Sequence, residues 1–201
     1  MKNNNPYIKL KSGTDIRGVA SDGVPGEAIE LTDKAVFDLT VGFCRWLNSV
    51  SGQLKNRKIA VGHDSRISAL RIKKQVIDAL GEFGFEVYDC SYASTPAMFM
   101  TTVDLGAVAA IEVTASHHPF DRNGLKFFTR DGGLNSDDID EIITMANNIK
   151  PIKADFSGCI TKFNYMQEYA ARLRKIICDS VGKSETDQPL KGYKIVVDAG
   201  N

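Results

Sequence analysis

The chain of 201 residues carries 25 Lys and Arg against 25 Asp and Glu, and 43% of it is apolar. Balanced charge excludes a nucleic-acid partner held through a basic face, because neutralising phosphates needs an excess of cations. The polar start Met1-Lys2-Asn3-Asn4-Asn5-Pro6 has no apolar heart, and no run approaches the ~20 apolar residues of a membrane span, so a cytoplasmic chain with no membrane partner is expected.

The first punctuated segment, Ser12-Gly13-Thr14-Asp15-Ile16-Arg17-Gly18, is bounded by glycines and carries an arginine. Such a stretch lets backbone amides and a guanidinium approach an anion, although a tight turn with a surface ion pair explains it equally well. From Thr32 to Leu47, Ala35, Leu39, Phe43 and Trp46 recur at three- and four-residue steps, which predicts a helix with one buried face and Thr32 as its cap. Lys58 to Gly62 reads as a strand. The turn Val61-Gly62-His63-Asp64-Ser65-Arg66-Ile67-Ser68 leads from it into a helix capped by Ser68, buried through Ile72, Val76, Ala79, Leu80 and Phe83, and ended by a left-handed Gly84. A helix N-terminus after such a turn faces a phosphate or simply caps itself.

Glu86 to Cys90 supplies another strand, Pro96 opens a helix to about Val103, and Ala107 to Val113 has the small and β-branched content of a strand buried on both faces. Leu125 to Thr129 follows too closely for a helical crossover, so it runs antiparallel to its predecessor and the sheet is mixed. Ser136 is expected to cap a further helix whose first turn carries Asp137, Asp138 and Asp140; capping and the helix dipole account for those carboxylates without a metal. Asn164 and Gln167 open a last long helix through Met166, Tyr169, Leu173 and Ile176. The polar stretch Gly182 to Gly192 has the composition of a linker, and Tyr193 to Val197 reads as a fresh strand. Cys44, Cys90, Cys159 and Cys178 form no C-x-x-C pair, which predicts reduced, structural thiols. The fold class expected is α/β: a three-layer α/β/α domain with a mixed, mostly parallel sheet over residues 1–185, then over 186–201 a linker and the first strand of a truncated second α/β domain.

Chemistry concentrates between the two central strands, in Thr114-Ala115-Ser116-His117-His118-Pro119-Phe120-Asp121-Arg122-Asn123-Gly124-Leu125-Lys126. Ser116 falls just past the carboxyl end of a strand, the edge where open α/β sheets bind ligands. Adjacent histidines on an extended segment point to opposite sides, which argues against a metal shared by His117 and His118.

These three segments, Gly13 to Gly18, Val61 to Arg66 and Thr114 to Lys126, resemble in order and spacing the N-terminal domain of the α-D-phosphohexomutases, the phosphomannomutase/phosphoglucomutase group. The resemblance implies an enzyme that moves phosphate between the 1- and 6-positions of a hexose phosphate through a phosphoserine and a bisphosphorylated sugar. It implies Ser116 as phosphoryl carrier, Lys126 as general acid or base, Arg17 as charge stabiliser and His117 as an orienting or protonating group. Thr14, Asp15, His118, Asn123, Gly124, Asp64 and Arg66 become loop or substrate support. Magnesium is implied as cofactor, bound here only through the phosphate on Ser116, with its acidic loop in a later domain, and a hexose 1,6-bisphosphate is implied as activator. His118 stands where the commonest form of the loop has asparagine. Asp15-Ile16-Arg17 and the Thr-Ala-Ser opening look closer to phosphomannomutase/phosphoglucomutase than to phosphoglucosamine mutase. The chain alone is expected to lack mutase turnover, because the sugar-discriminating and substrate-phosphate loops of that family come later.

Two other classes compete. A serine hydrolase would pair Ser116 with His117 or His63, but no Gly-x-Ser-x-Gly elbow is present. A non-catalytic sugar-phosphate binder would need the arginine and glycine turns without Ser116 or Lys126. No heptad seam or long apolar stripe specifies an oligomeric state.

Overall fold

Side chains alternate across a strand, so each strand of this sheet is sorted between two faces by its own sequence. The computed structural model describes residues 5–52, 56–147, 149 and 160–198. Its elements in chain order are β1 (Lys11–Ser12), β2 (Asp15–Val19), α1 (Asp33–Ser51), β3 (Lys58–His63), α2 (Ala69–Glu82), β4 (Glu86–Tyr92), α3 (Thr95–Asp104), β5 (Ala109–Val113), β6 (Arg122–Thr129), β7 (Gly132–Gly133), α4 (Ser136–Met145), β8 (Ile160–Lys162) and α5 (Tyr165–Val181). The strands form one sheet in the order β1-β2-β6-β5-β3-β4-β8, with β7 pairing β6. The half β5-β3-β4-β8 is parallel, whereas β1, β2, β6 and β5 pair antiparallel. The expected mixed α/β sheet is therefore present, and Leu125–Thr129 lies antiparallel to Ala109–Val113 as the short connection requires.

On one face Ile59, Val61, Ile111, Val113, Leu125 and Phe127 meet the apolar sides of α1, α2 and α4. Phe43 of α1 stacks on Phe127 at 4.6 Å between ring centroids, the geometry in which aromatic pairs add to plain burial. The Thr32 hydroxyl accepts from Ala35 N at 3.2 Å and so starts α1 where the sequence predicts. Gly42 lets α1 and α4 approach closely, since a Cβ there would meet the Ile142 carbonyl and Ala146. The opposite face carries Gly62, Ala110, Glu112 and Phe128. Onto it folds α3, with Met98 over Gly62 and Phe99 at 6.1 Å from Phe128, completing the third layer. Ser94 caps α3 through Ala97 N, just before Thr95 and Pro96.

Several local expectations are corrected. The cap of α4 is Asn135 and not Ser136: its Oδ1 accepts from Asp137 N at 2.8 Å and Asp138 N at 3.0 Å, while Asp138 reciprocates on Asn135 N. Ser68 stands at the start of α2, but its backbone is already helical and its hydroxyl makes no cap bond. Residues 12–18, read as a turn that either lets an anion approach or simply closes on itself, enter a strand over Asp15–Val19 completed by partners on both sides, and β8 was also unforeseen. Tyr193–Val197 pairs with no strand among the described residues, and Tyr193, Ile195, Val196 and Val197 are exposed. A strand is made by its neighbours, and this run has none there.

The chain divides into two compact units, Met1–Met166 and Gln167–Asn201. In the second, most of α5 is followed by a short 3-10 helix, Glu185–Asp187, whose start is closed by Ser184 Oγ donating to Asp187 at 2.7 Å. Cys44, Cys90 and Cys178 are free and buried, and Cys159 lies outside the described residues. Among the described residues no helix is long and apolar enough to cross a membrane.

Candidate active site

Register across β2, β6, β5 and β3 assembles the site. Arg17 lies opposite Gly124, and Glu112 lies opposite both Lys126 and Gly62. Gly13, at φ +62°, turns the β1–β2 hairpin with Thr14 exposed at its tip, and this delivers Asp15 and Arg17 onto the edge of the serine loop. Asp15 is shared by two cations: Arg17 Nη2 donates to its Oδ2 at 2.7 Å, and Lys126 Nζ to its Oδ1 at 2.9 Å. The other Arg17 terminal nitrogen donates to the Thr114 carbonyl. Burial pushes the Arg17 pKa down from its ordinary value with Asp15 opposing, yet a guanidinium remains protonated. Close approach of β2 to β6 depends on Gly124, where a Cβ would run into the Ile16 carbonyl and come within 2.8 Å of the Arg17 side chain. Gly124→Ala is expected to push the two strands apart and lower stability by about 2–3 kcal/mol, read as a reduced urea midpoint.

Ser116 directly follows the buried segment Ala109–Ala115 and is itself exposed, in the left-handed region at φ +56°. A non-glycine residue there is uncommon and is held by its surroundings. Ser116 N donates to Thr114 Oγ1 at 2.9 Å, and His118 N to the Ala115 carbonyl at 3.0 Å, so the loop turns away from the strand direction at the serine. That turn overturns the expectation that His117 and His118 point apart. The segment is not extended, and the two rings stack at 5.3 Å with 24° between their planes. His117 Nδ1 lies 3.3 Å from Ser116 Oγ. Burial and the charges of His117, Arg17, Arg122 and Arg66 lower the His118 pKa, which keeps that imidazole neutral near neutral pH.

Arg66 does more than brace its own turn. Its guanidinium donates to four carbonyls of the serine loop: Ser116 at 2.9 Å, His118 at 2.7 Å, Pro119 at 2.5 Å and Arg122 at 3.0 Å. Asp64 fixes the clamp, facing Arg66 Nε at 3.3 Å and accepting from Arg66 N at 3.1 Å. The loop is tied from below by Asn123, fully buried, whose amide donates to Ser68 Oγ at 3.0 Å and whose Oδ1 accepts from Gly124 N at 2.8 Å.

Contacts of Asp15, Arg17, Lys126 and Arg66 thus gather most of the residues singled out in the sequence at one strand end, with Thr14 exposed at the tip of the adjoining hairpin. One group was missed. Glu112, buried to 1% exposure in an otherwise apolar strand, has no partner on its Oε2. Burial above all, and secondarily Asp64, push its pKa up to about 9, so it is a neutral acid at pH 7. Its signal was a lone carboxylate in the run Ala107–Val113. Chemically this strand end sets a nucleophilic hydroxyl beside an imidazole, with two arginines on its loop and a lysine tied in through Asp15, the equipment for accepting and holding a phosphoryl group.

Residues 11–153 match the family model described as "Phosphoglucomutase/phosphomannomutase, alpha/beta/alpha domain I", and the chain belongs to that family. It is 30% identical over 94% of its length to a phosphoglucosamine mutase of Lactobacillus helveticus, and 33% identical over 90% to one of Serratia proteamaculans. It spans only 40% and 39% of those relatives. Among solved structures, a phosphoglucomutase/phosphomannomutase family protein of Burkholderia thailandensis superposes with a TM-score of 0.65 at 20% identity, covering 83% of this chain and 35% of that one. Parafusin from Paramecium gives 0.63 at 18% identity, covering 89% and 37%. At those identities the superpositions speak for the fold.

Proposed function

We propose that Ser116 carries a phosphoryl group which the whole protein transfers between the 1- and 6-hydroxyls of a hexose phosphate, through a bisphosphorylated sugar. The observation that supports this most directly is the placement of Ser116 in a left-handed turn at a strand end, its loop clamped by Arg66 and held by Arg17, with Lys126 joined to Arg17 through Asp15. A phosphoserine carries about −1.5 to −2 charges at neutral pH, which those cations suit. In the first transfer a bond forms from phosphorus to the sugar oxygen as the bond to Ser116 Oγ breaks; in the second, the sugar's other phosphoryl group bonds to Ser116 Oγ as its bond to the sugar oxygen breaks. His117 Nδ1, 3.3 Å from Ser116 Oγ, is placed to return the proton that restores the serine hydroxyl in the first. Lys126 serves as the acid–base group for the sugar hydroxyl, Asp15 compensates its charge, and Arg17, held by Asp15 and the Thr114 carbonyl, would stabilise charge on the phosphoryl group.

Among the described residues no three His, Cys, Asp or Glu side chains converge to hold a metal ion. A phosphate on the exposed Ser116 would be this chain's ligand to magnesium. When bound, the ion would neutralise charge on the phosphoryl oxygens. Glucosamine, glucose and mannose phosphates are the substrates to compare, since relatives bear the names phosphoglucosamine mutase and phosphoglucomutase/phosphomannomutase family protein.

Incubation with glucose 1,6-bisphosphate followed by phosphopeptide mapping tests the proposal. Phosphate is expected on the peptide holding Ser116, and Ser116→Ala is expected to abolish it. An acyl adduct from an activated ester, with no phosphate accepted, would instead identify a hydrolase.

A further inference from the structure

Three carboxyl and amino groups lie in one cross-strand row on the face covered by α3: Asp15 on β2, Lys126 on β6 and Glu112 on β5. Directly opposed residues on one face of an antiparallel pair hold their Cβ atoms about 4.5–5.5 Å apart, within reach of a lysine–glutamate ion pair. The pair is not made. Lys126 Nζ turns outward to Asp15 at 2.9 Å and lies 5.8 Å from the Phe128 ring centre, while Glu112 Oε2 stays buried and unpartnered. Space around the carboxyl is closed: a Cβ on Gly62 would lie 2.7 Å from Glu112 Oε2, 2.5 Å from Met98 Sδ and 2.9 Å from Ala93 Cβ. The ionisable groups near it are Lys126 on β6, Asp64 at the exit of β3 and Cys90 on β4. Lys73 closes its own pair with Asp89 at 2.8 Å.

We propose that Glu112 is a positioning residue for Lys126: closed into the sheet face beneath Gly62 and Met98 and left unpaired by the lysine opposite it, it leaves the ammonium free to turn to Asp15 at the edge of the sheet. This rests on the reading of Lys126 as part of the phosphoryl site. An ionised Glu112 would be an unpaired anion opposite that lysine, and the Asp64 carboxylate, itself engaged by Arg66, would only repel it. Burial, with Asp64 adding repulsion, keeps the proton on Glu112 through neutral pH. The unsatisfied carboxyl in the middle of the sheet thereby acquires a use: it fills the space beside Lys126 without competing for its charge.

The test follows the Lys126 Cε resonance in the chain labelled with carbon-13 lysine, titrated from pH 6 to 11. The wild type is expected to show an additional inflection near pH 9 as Glu112 ionises, and the near-isosteric Glu112→Gln to lack it. Identical curves in the two proteins would overturn the proposal. A second measurement is the dissociation constant for inorganic phosphate. Wild type and Glu112→Gln are expected to diverge by about fivefold between pH 7 and 9.5, the glutamine variant binding more tightly at the alkaline end. In a Lys126→Gln background the same substitution should give no divergence, since the effect passes through the ammonium; divergence that persists there would refute the positioning role. If none of the proteins binds phosphate, the phosphoryl site itself is at fault, whereas the Lys126 titration still decides the role of Glu112.

Discussion

Glu112→Gln is expected to stabilise the protein by about 2–3 kcal/mol at pH 7, because an amide spares the folded state the uptake of a proton. The ordinary pKa of the side chain is 4.5 and its folded value is pushed up to about 9. Between those values the unfolded chain carries an ionised carboxylate and the folded chain a protonated one. The folded state binds more protons, so its stability falls as pH rises through that window and levels off above pH 9. Below pH 4.5 both states are protonated and the advantage of glutamine should shrink to a few tenths of a kcal/mol. Urea unfolding of both proteins at pH 5, 7 and 9 measures this directly. A wild type that is the more stable at pH 7 would mean that the carboxylate is ionised and satisfied in the fold. The burial is severe enough to make that the less favourable state, since Glu112 is 1% exposed and no cation reaches its free oxygen. A natural chain holding such a residue is less stable than its backbone permits, which is how functional positions commonly differ from scaffold.

Local signals carried much of this architecture. The helix spanning Asp33–Ser51 is legible because Ala35, Leu39, Phe43 and Trp46 line one stripe and Thr32 caps it, both properties of consecutive residues. The antiparallel turn of β6 onto β5 was equally legible, since too few residues separate them for any other geometry. What depended on distant partners was not. Asp15–Val19 becomes a strand only because Lys11–Ser12 and Arg122–Leu125 flank it. The choice of Asn135 over Ser136 as cap rests on one residue of phase, and Ser68 makes no cap bond with its backbone already helical, its hydroxyl instead accepting from Asn123, 55 residues away. In the site, residue types pointed to Ser116, Arg17 and Lys126. The stacking of His117 on His118 and the four-carbonyl grip of Arg66 depend on the left-handed turn at Ser116, which no pattern in the sequence announces.

That grip sets the other large effect. Arg66→Ala is expected to cost about 2–3 kcal/mol of stability and to lower the rate of Ser116 phosphorylation by about 100-fold, through loss of loop geometry. Four acceptors converge on one planar group: the carbonyls of Ser116, His118, Pro119 and Arg122. Backbone carbonyls with their donor removed recover bonds from water where they are exposed, as those of Ser116 and Pro119 are, so the stability loss is smaller than four charge-assisted bonds would suggest. Geometry has no such remedy. Ser116 occupies φ +56°, a conformation that its surroundings must impose, and without the clamp the residue is free to relax towards negative φ and carry its hydroxyl away from His117 and Arg17. Arg66→Lys separates charge from shape. An ammonium keeps the positive charge and the pairing with Asp64 but has three donors on a point, not a planar fork, and cannot serve four carbonyls. If the lysine variant loses phosphorylation about as severely as the alanine variant, the fork geometry is what positions Ser116. Near-normal phosphorylation with lysine would show instead that positive charge beside the loop is sufficient, and the clamp would then be a structural convenience with little bearing on the chemistry.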